Sequence, residues 1–233
     1  TATTFGTGAK HLLFVGGVHG GYEWNSVLLA YQTMDYLKAN SSAVPAGLSV
    51  TIIASLNPDG VFAGTGKEGR FVIADVATDA EVLASGRFNA NKVDLNRNFA
   101  CKWQPEATWK SKKVSAGTSA FSEPEAAALR DFVLASKPAA VVFWHSQANA
   151  VYASECTADV LPETLAVMKA YATAAGYPAV SSFDAYPVTG DAEGWLASIN
   201  IPAITVELKT HETVEWEQNL AGVKALVSYY GQK

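Results

Sequence analysis

Short apolar runs that end in turn signals or polar side chains constrain this chain most. They occupy residues 12–15, 50–56, 139–144 and 203–206, and they are rich in Val, Ile, Leu and Phe. The first closes on Gly16-Gly17 and the second on Asn57-Pro58-Asp59-Gly60, a strong turn signal. Apolar runs this short, without polar alternation, suit strands buried on both faces. The stretches between them carry helical spacing. Val27, Tyr31 and Met34 recur on one face of 24–37, and further helices are expected at 161–175 and about 214–230. Ser122-Glu123-Pro124-Glu125 has the form of a capping box with Ser122 as N-cap, opening a helix that runs to about 136, ahead of Pro138. Strands alternating with helices imply an α/β sheet covered on both faces. Residues 61–121 are Gly-, Lys- and Ser-rich with little periodicity, and are expected to form long surface loops around a few short elements.

With 233 residues, 49% of them apolar, one substantial core is affordable and two would be cramped, so residues 1–233 are taken as a single domain. The formal charge of −5 is spread along the chain with no basic stripe, which argues against a nucleic-acid partner. No apolar run reaches bilayer-spanning length, so no membrane partner is expected, and the chain is expected to act as a monomer. Residues 1–10 lack a signal-peptide pattern, and a first residue other than Met fits numbering that begins after processing. Cys101 and Cys156 are either two free thiols or one disulfide. The bridge is the expectation, and with it a secreted or periplasmic setting.

In open α/β sheets, ligands gather at the carboxyl ends of the strands. His19, His145 and Glu207 all fall at or just after such ends. Val18-His19-Gly20-Gly21-Tyr22-Glu23 offers an imidazole and a carboxylate on a glycine-loosened turn before a helix. With a distant His145, these make the two-His, one-Glu donor set of a catalytic zinc site that keeps a position for water. Taken singly, each histidine reads equally well as a polar residue at a strand end; as a set they favour one Zn2+. Glu207 follows the apolar 204–206 run, where a carboxylate is costly unless it is paired or needed for proton transfer. In Asp94-Leu95-Asn96-Arg97-Asn98-Phe99, Arg97 offers a planar fork suited to a carboxylate, or else an ordinary salt bridge.

In order along the chain stand His19 to Glu23, Asn57-Pro58-Asp59-Gly60, Asp94 to Phe99, Ser122 to Glu125, Trp144-His145-Ser146 and Thr205-Val206-Glu207-Leu208. Together these resemble the zinc metallocarboxypeptidase family, which includes pancreatic carboxypeptidase A and bacterial murein-peptide amidases. The resemblance implies a mixed, largely parallel twisted sheet flanked by helices on both faces. It implies zinc held by His19, Glu23 and His145, with Glu207 as general base. It assigns Asn96 and Arg97 to the substrate's terminal carboxylate, and Arg87 to the scissile carbonyl, with Arg70 as the competing position. Tyr186 matches the family's mobile substrate-binding tyrosine, with Gly190 and Trp195 at the corresponding offsets. Glu193 falls at the position that selects the terminal side chain, so a basic or diaminopimelate-type residue is expected there, with Asp191 able to serve the same end. The substrate implied is a peptide with a free C-terminal carboxylate.

Two departures stand out. Three residues rather than two separate His19 from Glu23, an insertion that Gly20 and Gly21 are expected to absorb. The first metal-bearing strand also lies near residue 1, so the leading strands and pro-segment of larger relatives are expected to be missing. The rival readings are a zinc-dependent deacylase of N-acyl amino acids, a wall-peptide amidase, or a non-catalytic binding module on the same fold. His11 and His211 have no evident partners.

Overall fold

The computed structural model describes residues 2–233. Along the chain run strands β1 (Ala2–Phe5) and β2 (Lys10–Val15), helix α1 (Trp24–Ala39), strand β3 (Leu48–Ile53), and helices α2 (Pro58–Thr65) and α3 (Ala80–Ser85). A two-stranded hairpin follows, β4 (Glu106–Trp109) and β5 (Lys112–Ser115). Then come α4 (Pro124–Ser136), β6 (Ala140–Ser146), β7 (Ala150–Ala153), α5 (Pro162–Ala175), β8 (Ala179–Val180), α6 (Ala192–Ser198), β9 (Ala203–Leu208) and α7 (Trp216–Gly231).

Seven strands form one mixed sheet in the order β1-β3-β2-β6-β9-β7-β8. Its centre, β3-β2-β6-β9, is parallel, while β1 and β7 join their neighbours antiparallel. The parallel centre explains the unbroken apolar runs, because successive side chains point to opposite faces and both faces are covered. Leu12, Phe14, Val142, Trp144, Ile204 and Val206 face α1, α5 and α7 in one core. Leu13, Val15, Val141, Phe143 and Ala203 face α4 and α6 in the other. Each such Leu, Val or Phe stabilises by roughly 1.5–3 kcal/mol when fully buried.

Several expectations are corrected. The segment before β2 holds β1, which the sequence reading left out. Ala2-Thr3-Thr4-Phe5 pairs with the edge of β3 and is only half covered, so it needs no apolar run. Asn57 does not merely begin a turn. Its side chain accepts the Gly60 N–H at 2.8 Å and, with Pro58 in the first turn, starts α2, which runs on into the 61–121 stretch as one of its short elements. The capping box at Ser122 does not form. Glu123 is the N-cap of α4, Pro124 opens the helix, and Ser122 Oγ instead donates to Glu123 and accepts from the Asn98 amide at 3.0 Å. Those bonds fasten α4 to the Asp94–Phe99 segment, which borders the site. Strands β7 and β8 are too short to leave a periodic signal.

Candidate active site

The strand β2 leaves the sheet through Gly16-Gly17, and residues Gly20–Glu23 wind into a single 3-10 turn ahead of α1. The Tyr22 and Glu23 amides both bond back to the His19 carbonyl. Side chains three or four apart on a helical turn share a face, so the extra residue between His19 and Glu23 still leaves them together. Gly20 takes φ +43°, and a Cβ there would lie 2.7 Å from Gly60 Cα and Gly86 O, so glycine is required for the backbone to pass. His19 Nδ1 comes to 2.8 Å from Glu23 Oε1.

The second half of the site is set by strand register. His145 pairs with Glu207 across β6 and β9, and both side chains project to the same face at the carboxyl ends of the strands. His145 Nδ1 lies 2.9 Å from Glu23 Oε2 and 3.2 Å from His19 Nδ1, although 126 residues separate the two histidines. His19, Glu23 and His145 thus turn three donors toward one point and could hold a metal ion. Two imidazoles and a carboxylate are the donor set of catalytic zinc. Their electrostatics agree. Burial disfavours charge on His145, yet Glu23 and Glu193 on either side hold its pKa well above the usual imidazole value. Burial likewise opposes ionisation of Glu23, but His19 and His145 hold it well below the usual carboxylate range. The cluster calls for positive charge among its donors, which a divalent cation satisfies.

Glu207 behaves in the opposite sense. Burial, reinforced by Glu23, pushes its carboxyl up to about 7, and its Oε2 is shut off from solvent with no hydrogen-bond partner among the described residues. A carboxyl titrating near neutrality is suited to taking and returning a proton.

The Asp94–Phe99 segment turns under the cluster. Asp94 is fully buried; its Oδ2 accepts from Arg87 Nε at 2.8 Å and lies at ion-pair distance, also 2.8 Å, from Arg87 Nη2. Its Oδ1 stands 3.4 Å from His19 Nε2. Burial alone would raise this carboxyl, but Arg87, His19 and Arg97 hold it far below the usual range. Arg87 lies with its guanidinium 4.4 Å from the Trp109 ring centroid and its Nη1 4.0 Å from Glu23 Oε1. Arg70, the competing arginine, lies elsewhere: it is exposed and paired with Asp35 at 2.7 Å, over the Tyr31 ring.

Arg97 is buried, with its Nε and Nη2 bonded to the Thr108 carbonyl and Nη1 to that of Asn96. Those three bonds fix the plane of the fork and leave two of its five N–H groups uncommitted. Asn96 Oδ1 accepts from the Ala192 amide, which ties the segment to α6. Gly190, at φ +70°, packs on the Arg97 backbone so closely that a Cβ would meet its carbonyl oxygen at 2.2 Å. Asp191 caps α6 through the Gly194 amide, and burial next to Glu193 pushes its carboxyl up to about 6.

His19, Glu23, Arg87, Asn96, Arg97, His145, Tyr186, Glu193 and Glu207 all line one cavity of about 580 Å³. Against this geometry, a sequence profile of the zinc carboxypeptidase family matches residues 3–221. The chain belongs to the zinc carboxypeptidase family. A curated relative of this family member, gamma-D-glutamyl-L-diamino acid endopeptidase 1 of Lysinibacillus sphaericus, is 23% identical over 224 residues. That alignment covers 87% of this chain and 55% of the relative, so the chain spans about half the length of the curated protein it matches. Among solved structures, murein-tripeptide amidase MpaA from Escherichia coli O157 superposes with a TM-score of 0.63 at 23% identity, covering 95% of this chain and 82% of that one. Bovine thrombin-activatable fibrinolysis inhibitor gives a TM-score of 0.74 at 19% identity, covering 98% and 84%. These likenesses establish the zinc carboxypeptidase fold.

The zinc carboxypeptidase cavity also holds residues to which sequence reasoning assigned no role. His211, without a partner on paper, lines the cavity wall, with Nδ1 2.7 Å from Ser146 Oγ and its ring 4.7 Å from that of Tyr22. Ser146 in turn donates to Asn25 Oδ1 at 2.9 Å. Tyr22 also meets Trp109 edge to face at 5.1 Å, so residues from the metal turn, the β4–β5 hairpin and the loop after β9 form one aromatic wall. His11 lies outside the site, bonded to Thr51 on the sheet. Tyr186, half-buried, packs edge-on against Phe183 at the rim.

Cys101 and Cys156 form a disulfide across 55 residues, which excludes the free-thiol alternative. It anchors the segment whose Cys101 carbonyl accepts the Gly190 amide at 2.6 Å. Replacing both cysteines by serine is expected to cost about 2–4 kcal/mol. That lowers Tm by roughly 4–16 °C for a chain this size. Differential scanning calorimetry checks it, and a double variant melting within a degree of the parent would show that the bridge contributes no stability. No helix among the described residues is long and apolar enough to cross a membrane.

Proposed function

We propose that this chain is a zinc-dependent carboxypeptidase that hydrolyses the peptide bond next to a free terminal carboxylate. One observation carries the reading: the β6–β9 register sets Glu207 beside His145 on the face where the His19 and Glu23 donors converge. His19, Glu23 and His145 would hold the metal. A zinc ion bound there supplies Lewis-acid polarisation of the scissile carbonyl and a water acidified toward neutrality. Glu207, with its carboxyl near 7, takes a proton from the attacking water and hands it to the departing amine. Arg87, fixed by Asp94 with Nη1 directed toward the Glu23 side of the cluster, supplies positive charge to the developing oxyanion. The uncommitted N–H groups of Arg97, with the Asn96 amide and the Tyr186 hydroxyl, grip the terminal carboxylate and so limit cleavage to the last residue.

The acids at the cavity floor give the substrate class. Glu193 and Asp191 favour a terminal residue that carries a second amine, whether Lys, Arg or a diaminopimelate-type diamino acid. The name of the Lysinibacillus sphaericus relative, a diamino acid endopeptidase, supports the same class. Every proposed role falls within one copy of the chain, so a monomer suffices, and the Cys101–Cys156 bridge fits a secreted or periplasmic protein. Peptides ending in Lys or diaminopimelate are expected to be cleaved with at least tenfold higher kcat/KM than matched peptides ending in Phe. Faster cleavage of the Phe series would remove the role given to the acidic floor. Absence of zinc from protein purified without chelator would remove the metal mechanism itself.

A further inference from the structure

The two metal-facing imidazoles are backed in the same way. Each turns Nδ1 toward Glu23, at 2.8 Å for His19 and 2.9 Å for His145. Each therefore presents Nε2 on its far side, where it is buried and makes no hydrogen bond among the described residues, and there a buried carboxylate stands at ion-pair distance: Asp94 Oδ1 at 3.4 Å from His19 Nε2, and Glu193 Oε1 at 3.3 Å from His145 Nε2. Glu193 is 4% exposed, and the same Oε1 accepts the Thr205 hydroxyl at 3.2 Å, which steers it from β9 toward the ring on β6. A neutral imidazole that offers Nδ1 to a metal carries its proton on Nε2, and a carboxylate accepting that proton fixes both tautomer and ring orientation.

We propose that Glu193 is a positioning residue for the metal site, holding His145 from behind as Asp94 holds His19. The residue that lines the terminal side-chain pocket then also governs how firmly zinc is kept. This goes beyond selectivity and rests on the zinc-site reading above. A carboxylate serving only to attract a substrate amine has no need to sit within reach of a ligand imidazole, nor to be braced there by a hydroxyl from the strand that bears Glu207.

The test measures zinc affinity of the full chain by chelator competition for the parent, Glu193→Gln, Glu193→Leu and Thr205→Val, with visible spectra of the Co2+-substituted proteins and circular dichroism alongside. Glu193→Leu is expected to lose roughly 10–100-fold in zinc affinity and to show an altered Co2+ spectrum with native-like circular dichroism. Glu193→Gln, which keeps an acceptor but not the charge, and Thr205→Val, which frees the carboxylate from its brace, are expected to show smaller losses in the same direction. Should Glu193→Leu fail to fold, these two decide the matter. Zinc affinities within threefold of the parent in every folded variant, even alongside an altered preference between Lys- and Phe-ending peptides, would overturn the proposal and leave Glu193 a pocket acid only. A parent that binds no zinc would overturn it together with the zinc-site reading, a result distinct from the first.

Discussion

Glu207→Gln is expected to bind one zinc per chain and yet turn over about a thousandfold more slowly than the parent, within the 10²–10⁴ range of a lost general base. The substitution keeps the volume of the side chain and its place beside His145, so the three metal donors are undisturbed. What it removes is a carboxyl that burial has pushed up to about 7 and whose Oε2 has no partner among the described residues. An amide at that point neither accepts the water's proton nor delivers one to the leaving amine. Metal analysis and steady-state kinetics on the same preparation separate this outcome from simple loss of zinc. A variant that retains zinc and slows less than tenfold would show that another group handles the proton.

Asp94→Ala is expected to be among the most damaging single changes for stability. The carboxylate is fully buried, is ion-paired with Arg87 through one hydrogen bond from Nε and a close Nη2, and accepts the Asn96 backbone amide, with His19 Nε2 at 3.4 Å. Truncating it strands the Arg87 guanidinium in the interior with Glu23 at 4.0 Å as its nearest acid. Breaking a buried ion pair from one side typically costs about 3–5 kcal/mol. For a chain of this size that corresponds to a fall in Tm of roughly 6–20 °C. Zinc affinity should fall too, since His19 loses the carboxylate that stands at ion-pair distance behind its ring. Calorimetry with and without excess zinc reads both effects. A variant that melts within two degrees of the parent would mean that the pair stores little stability.

Local order was legible to different depths along the chain. Helix α5 begins at Pro162 where 161 was expected, and α4 stops at Ser136 as Pro138 requires, because apolar spacing and proline sterics act over a few residues. The start of α4 was misread for a tertiary reason. Ser122 has the chemistry of a cap, but Asn98, distant in sequence, claims its hydroxyl. The hairpin strands β4 and β5 were missed because four-residue elements hardly bury a face of their own. The hairpin nonetheless brings Trp109 over Arg87 and helps to bury it, whereas Arg70 stacks on Tyr31 while remaining exposed. His211 drew no attention because its partners, Ser146 and Tyr22, lie 65 and 189 positions away.

Read alone, the sequence determined the four central strands β2, β3, β6 and β9 and the helices α1, α4, α5 and α7, the placing of His19, His145 and Glu207 near strand ends, and the chemical types on offer, because apolar periodicity, turn chemistry and proline act between near neighbours. The tertiary structure alone decided which groups meet. Strand order and register bring His145 beside Glu207, while the packing of α6, the Asp94–Phe99 segment and the β4–β5 hairpin against the sheet sets Asp94 and Glu193 behind the two imidazoles and buries Arg87 where Arg70 stays exposed. Those encounters follow from how a sheet of non-consecutive strands closes its cores, and a one-residue slip in any of its ladders would turn the side chains to the opposite face.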